Sequence, residues 1–174
     1  MPSFNIQSGA TGLYLTVTYT VGAQSVENNT TIVDVSLSLH HGGLSVGAGK
    51  DDCSLWIGGT TYKWTGPDIS SSGGTVSLGS HKFTVAHNAD GSWSGKIGGS
   101  YRLNISYGGT YIGTISGSQD LTLPTIPRAS TVSATDANIG SVSSIYINAK
   151  SSAFSHGLLV TFGSLSFYLD GNGN

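Results

Sequence analysis

Charge is scarce in this chain: nine acidic and seven basic residues among 174, for a formal net charge of −2. No basic cluster supplies the positive surface that a phosphate backbone requires, which excludes nucleic acid as a partner. Covalent staples are missing too, because a single cysteine, Cys53, cannot close an internal disulfide. It reads as a small buried apolar residue rather than a reactive thiol. No apolar run reaches the roughly eighteen residues that a membrane-spanning helix needs, so membrane insertion is not expected. The opening MPSFNIQSGA has neither a basic start nor an apolar centre, so the expectation is synthesis in a cytoplasm without export by a cleavable signal.

Glycine is plentiful, at 26 residues, and serine and threonine abound. Such a chain is a poor helix former and suits tightly turned sheets. Alternation then locates strands. Leu13, Leu15, Val17, Tyr19 and Val21 point one way with Tyr14, Thr16, Thr18 and Thr20 opposite, and Val33, Val35, Leu37 and Leu39 repeat the pattern. Phe4 to Ile6 reads as a short lead. CSLWIGGTTYKW reads as a hairpin about Gly58-Gly59, and Gly66 to Gly74 as a surface loop. The stretch His81 to Leu123 reads as three long strands, turned at Asn88-Ala89-Asp90-Gly91 and at Gly108-Gly109, with a bulge or bend at Gly98-Gly99.

These strands predict an all-β chain: an antiparallel β-sandwich of jelly-roll or Ig-like kind, with about eight strands. Residues 1–124 form that domain. Residues 125–130, with Pro124 and Pro127 around them, form a junction, and residues 131–174 form a short, incomplete second β module. A connector leads into it from Ser130. One strand is expected around Val142, Ile145 and Ile147, then a hairpin from Phe154 to Leu169 across Gly163-Ser164. So few strands need a partner chain or a neighbouring domain to complete them.

Chemistry-bearing clusters are sparse. His40 and His41 are adjacent, so on a strand they face opposite sides and cannot share one metal. Asn88, Asp90 and Ser92 resemble the start of a calcium loop, yet no bidentate glutamate follows, since Glu27 is the only one in the chain. A hairpin turn is the simpler reading. Asp51-Asp52 would be the first choice for a glycosidase carboxylate pair, although neighbouring carboxylates in a glycine-rich loop are usually just solvated. No serine sits in a Gly-X-Ser-X-Gly elbow. Neither an enzyme nor a cofactor is expected. The aromatics are more suggestive, because flat rings stack on pyranose faces while small polar side chains bond hydroxyls. Tyr14, Tyr62 and Trp64 are the outward-facing candidates for a saccharide site, with Asn88 and Asp90 as hydrogen-bonding partners.

Four motifs occur in order: an Ile-Gly-Gly turn in CSLWIGGTTYKW, His87-Asn88-Ala89-Asp90-Gly91-Ser92, Leu123-Pro124-Thr125-Ile126-Pro127-Arg128-Ala129-Ser130, and AFSHGLLVTFGSL. In this order the chain resembles a family of siphovirus structural proteins from phages of Gram-positive bacteria. The resemblance implies a virion component of the tail tip or fibre, made in the host cytoplasm. Its expected partners are other virion proteins, further copies of itself as a homo-oligomer, and a host-surface glycan. The rival expectation is a capsid decoration or architectural protein that assembles by strand addition.

Overall fold

The computed structural model describes residues 1–128, 131–134, 145–148, 158–162 and 165–169. The described residues contain no helix. In chain order the strands are β1 (Ser3–Gln7), β2 (Tyr14–Ser25), β3 (Thr30–His41), β4 (Leu44–Val46), β5 (Cys53–Ile57), β6 (Thr60–Trp64) and β7 (Ile69–Ser71). They continue with β8 (Gly74–Ala86), β9 (Trp93–Tyr107), β10 (Thr110–Leu123), β11 (Thr131–Ala134), β12 (Ile145–Asn148), β13 (Leu158–Phe162) and β14 (Leu165–Leu169).

Contacts divide the chain into two compact units. The first comprises Met1–Ala23, Thr31–Val85 and Ser94–Leu123; the second gathers Gln24–Thr30, Ala86–Trp93 and Pro124–Asn174. The first unit is the expected antiparallel sandwich. One sheet has the order β1-β2-β3-β8, the other β10-β9-β5-β6, and β4 pairs with β7 as a small ribbon. The chain therefore crosses between sheets after β3, after β6 and after β8.

The alternating apolar residues face inward as the pattern requires: Leu13, Leu15, Val17, Val33, Val35, Leu37 and Leu39 are all buried. Closeness of the two sheets is visible at Gly99 of β9. A methyl group there would press on Leu37 of β3, Leu55 of β5 and Val17 of β2, so glycine lets the opposing leucine fill the centre. Cys53 lies in the same core without a disulfide. Burial, and then the neighbouring Asp52 charge, push its thiol up to about 12, so it stays protonated and packs as an apolar group.

Several local expectations change. The lead at Phe4 to Ile6 is an edge strand, paired antiparallel with β2 from Ser3↔Thr18 to Gln7↔Tyr14. Ile69–Ser71, inside the expected loop, pairs with Leu44–Val46. The Asp-Gly loop after β8 is not a hairpin, because β8 and β9 belong to different sheets. Turn chemistry favoured a reversal there, but the choice of pairing partner was made by the core. The ladder between β5 and β9 runs without interruption through Trp56↔Gly98 and Leu55↔Gly99, so no bulge breaks that pairing. Gly98 serves the other face, where the Trp56 ring lies across it and a side chain could not fit.

Bulges occur elsewhere. In β8 the buried Leu78 and Phe83 fall in opposite phases, and the extra residue is absorbed at Gly79, whose φ of +145° is glycine-favoured. In β10 the buried Ile112 and Ile115 are three apart, which again requires one extra residue between them.

In the second unit, β11 pairs with β12 and β13 with β14, each pair as a separate two-stranded antiparallel sheet. β11 occupies part of the expected connector. The expected hairpin is present as Phe162↔Leu165 across the two intervening positions. Val142, Phe154 and the Gly163-Ser164 turn itself lie outside the described residues.

Candidate functional site

Tyr62 and Trp64 sit on β6 opposite Leu55 and Cys53. Directly opposed residues of an antiparallel pair point to the same side, and Leu55 and Cys53 are buried. The two rings therefore lie on the inward phase of an edge strand, at the seam where the sandwich opens between β6 and β8. There Tyr62 stacks on His81 at 3.7 Å with planes 10° apart, and on Trp64 at 5.6 Å and 21°. His81 meets Phe83 edge-on at 4.7 Å. Trp64 also caps the β8 bulge: its Nε1–H donates to the Leu78 carbonyl at 2.8 Å, and its ring fills the space that a side chain at Gly79 would occupy. Tyr62 is 39% exposed, while Trp64 is half-buried.

Tyr14 is elsewhere, on β2, half-buried and stacked on His40 of β3 at 4.6 Å. His40 and His41 do diverge. His41 is buried, and the Gly43 N–H donates to its Nδ1 at 3.2 Å, which leaves the ring proton on Nε2, 3.1 Å from Ser71 Oγ. Burial, with the neighbouring His40 adding to it, holds the His41 pKa below its ordinary value.

On the outer face of the first sheet a groove of about 380 Å³ crosses β2, β3 and β8, lined by Thr18, Thr20, Asp34, Ser36, Ser80 and Lys82 among others. These side chains are the polar phase of the alternation. Lys82 Nζ lies 3.7 Å from Asp34 Oδ1, with both side chains more than half exposed, so the pair adds little stability.

Asp51 and Asp52 part company. Asp51 is exposed at φ +51°, whereas Asp52 is buried. Both Asp52 carboxylate oxygens accept backbone N–H groups, Oδ2 from Gly49 at 2.7 Å and Oδ1 from Gly66 at 2.6 Å. The carboxylate thus fixes two loops, and Asp68 does similar work by accepting from the Ala48 N–H at 2.6 Å. The expectation of plain solvation fails for Asp52 because two glycine N–H groups replace water. Burial, then the nearby Asp52 charge, push the Tyr101 hydroxyl up to about 12. Among the described residues no three His, Cys, Asp or Glu side chains gather as a metal-binding group.

Asn88 and Asp90 belong to the second unit, where they organise the backbone. Asp90 Oδ1 accepts from the Ser92 hydroxyl at 2.6 Å and from the Ser92 N–H at 2.9 Å, and these bonds hold its carboxyl below the usual range. The Asn88 carbonyl accepts from the Gly91 N–H and from Asn29 Nδ2. The Gly91 carbonyl accepts twice, from His87 Nδ1–H at 2.7 Å and from the Ile126 N–H at 2.9 Å. Gln24 Nε2 donates to the Pro124 carbonyl at 2.7 Å, and Arg128 Nη1 to the Val26 carbonyl at 2.5 Å. Two of the four sequence motifs, around Asp90 and around Ile126, are therefore halves of one clasp. Gly91, at φ +82°, is required because a side chain would fall on the Ile126 carbonyl.

A further ring is Tyr111, one of the aromatics that the sequence offers but not one of its three outward-facing candidates, 68% exposed at the β9–β10 hairpin. Its signals were the glycine pair at 108–109, which turns the hairpin with positive φ at both residues, and Gly113 beside it. Tyr111 OH donates a long bond, 3.4 Å, to Asn104 Oδ1, and Asn104 itself is left-handed at φ +51° in mid-strand.

The sheets define a class: an all-β antiparallel sandwich followed by smaller two-stranded sheets. A family model described as a siphovirus protein of unknown function matches residues 6–173, so the chain belongs to that siphovirus family. This agrees with what the ordered motifs implied, and it makes a structural part of the phage particle the coarse assignment. No curated protein and no solved structure matches the chain.

Proposed function

We propose that the chain is a non-enzymatic virion protein of the tail or fibre that binds saccharide on the host surface. The observation that carries this reading is the outer groove. Its lining includes four Ser and Thr residues beside the Asp34–Lys82 ion pair, together with Tyr19, His81 and the apolar Met1 and Val35, and its volume of about 380 Å³ suits one or two sugar rings. Hydroxyls beside an exposed, mutually paired carboxylate and ammonium match the hydrogen-bonding needs of a neutral polyol without the desolvation cost of buried charge. Tyr62, Trp64 and Tyr14 would add ring contacts in this reading, although the seam and the His40 stack already employ part of each ring. Single-site binding would be weak and raised by multiple copies on the particle. Isothermal titration of host-wall polysaccharide into the protein, alone and displayed as multiple copies, should give binding that strengthens with copy number. Absence of heat in both formats sinks the proposal.

The architectural alternative draws on β11–β12 and β13–β14, two-stranded sheets that are too small to be stable alone. Light scattering separates the two readings. A discrete oligomer that binds no polysaccharide favours assembly by strand addition.

A further inference from the structure

We propose that Tyr111 and Asn104 form the platform on which a pyranose ring of the bound glycan stacks, an inference that rests on the saccharide reading above. Three independent features converge on this hairpin. First, Tyr111 is 68% exposed, against 39% for Tyr62, and these are the exposed aromatic rings among the described residues. Leaving a large ring in water forgoes its burial energy, so the sandwich itself does not use it.

Second, the local backbone is shaped around that ring. The phase change between buried Ile112 and Ile115 marks an extra residue in β10, and bulges of this kind re-aim side chains. Gly113 sits at the bulge, where a side chain would come within 3.7 Å of the Tyr111 ring and 3.9 Å of Asn104 Oδ1. A methyl group at that position would make ordinary van der Waals contact with both, so glycine leaves the ring edge and the amide uncovered without being sterically required.

Third, Asn104 is held at φ +51°, a conformation that costs free energy in a strand and that here places an amide beside the Tyr111 hydroxyl. Its bond from Tyr111 OH is long at 3.4 Å, so the amide keeps both donors and much of its acceptor capacity for a ligand. A ring face plus a flanking amide is the chemistry that recognises the apolar face and the hydroxyl edge of a pyranose.

A protein partner is the competing occupant. An interface core needs a contiguous apolar patch with several anchors. Here the flanking residues are Ser106, Thr110, Gly113 and Thr114, and Ile112 is buried, so the ring stands alone.

The test is saturation-transfer NMR with a panel of methyl pyranosides, including N-acetylglucosamine, galactose, glucose and rhamnose, on the wild-type chain and on Tyr111→Ala, Tyr111→Phe and Tyr62→Ala. The expected result is transfer to one face of at least one sugar, an affinity loss of about tenfold for Tyr111→Ala, near-wild-type binding for Tyr111→Phe, and a smaller loss for Tyr62→Ala than for Tyr111→Ala. Equal binding by wild type and Tyr111→Ala, with loss in Tyr62→Ala or in groove variants such as Asp34→Ala, overturns the platform and leaves the saccharide reading standing. If neither wild type nor any variant binds a pyranoside or host-wall polysaccharide, both fall. Intact sugar binding with self-association abolished by Tyr111→Ala would make the hairpin a protein contact and likewise overturn the inference. Unchanged thermal midpoints for both Tyr111 variants confirm that folding is not being measured.

Discussion

At the seam between β6 and β8 every ring has work to do, whereas at the tip of the β9–β10 hairpin the most exposed described ring has almost none. Tyr62 is sandwiched into a ladder with His81 and Trp64, and Trp64 spends its N–H on the Leu78 carbonyl. Tyr111 has a single long hydroxyl bond. Both sites are aromatic, both lie at the surface of the same sandwich, and only partner geometry separates them. A ring that closes a fold and a ring that awaits a ligand differ in how much of their bonding capacity is already consumed.

The sharpest way to break this contrast is to remove one ring from each place. Trp64→Ala should cost about 3 kcal/mol in urea unfolding, since it empties the seam and leaves the Leu78 carbonyl at the bulge without its donor. A cost below about 1 kcal/mol would mean that the seam is not structural. Next in size, Gly79→Ala forces a methyl group onto the Trp64 indole at a φ of +145°, for an expected loss of about 2 kcal/mol by the same measurement.

Acid provides a smaller perturbation. His41 is buried with its pKa below the ordinary 6.5, so the unfolded chain binds a proton more readily than the folded one. Stability should therefore fall as pH drops below about 6.5, and His41→Gln should flatten that slope in thermal melts from pH 7 to 5. A slope unchanged by the substitution would count against neutral His41 as a strut. Smallest of all, Tyr111→Ala should leave the melting midpoint within about 1 °C of wild type, as for an exposed residue with one long hydrogen bond. A marked drop would place Tyr111 with the seam rings and erase the contrast.

The sequence made one side of this comparison legible and hid the other. Leu15, Val17, Val35 and Leu37 alternate because the sandwich has one dry and one wet face per sheet, and that period is a local property. The inward phase of Tyr62 was not local: it followed from register against Leu55, itself set by β9 on the other side. Asp52 resembled a solvated loop residue until Gly49 and Gly66, far apart in sequence from each other, were brought to its two oxygens. The Asp90-Gly91 turn was recognisable from its chemistry, but which sheet the next strand would join depended on the whole core. Bulges were half-legible. The phase slips from Leu78 to Phe83 and from Ile112 to Ile115 are visible in the alternation once a misfit is allowed to mean an inserted residue. The second slip is the signal that ranks Tyr111 above the other aromatics of the sequence as an outward-facing ring.

The family's ordered motifs were equally readable, but their role was not that of a binding signature. His87 to Ser92 and Leu123 to Arg128 hold each other through the Gly91 carbonyl, with Asn29 and Val26 completing the clasp. Asp90 spends Oδ1 on the Ser92 N–H and hydroxyl, and Asn88 donates from Nδ2 to Ser92 Oγ while its backbone carbonyl accepts from Gly91 and Asn29. Paired motifs that interlock preserve a fold, and ligand contacts then have to be sought on the faces that the clasp leaves open.

The contrast between engaged and free rings is measured most directly by nitrating the native protein with tetranitromethane and locating the product by peptide mass spectrometry, with and without the pyranoside that binds best. The account predicts that Tyr111 is modified before Tyr14, Tyr62 and Tyr101, and that the sugar slows its modification alone. Earlier modification of Tyr62, or a Tyr111 rate indifferent to saturating sugar, would contradict it.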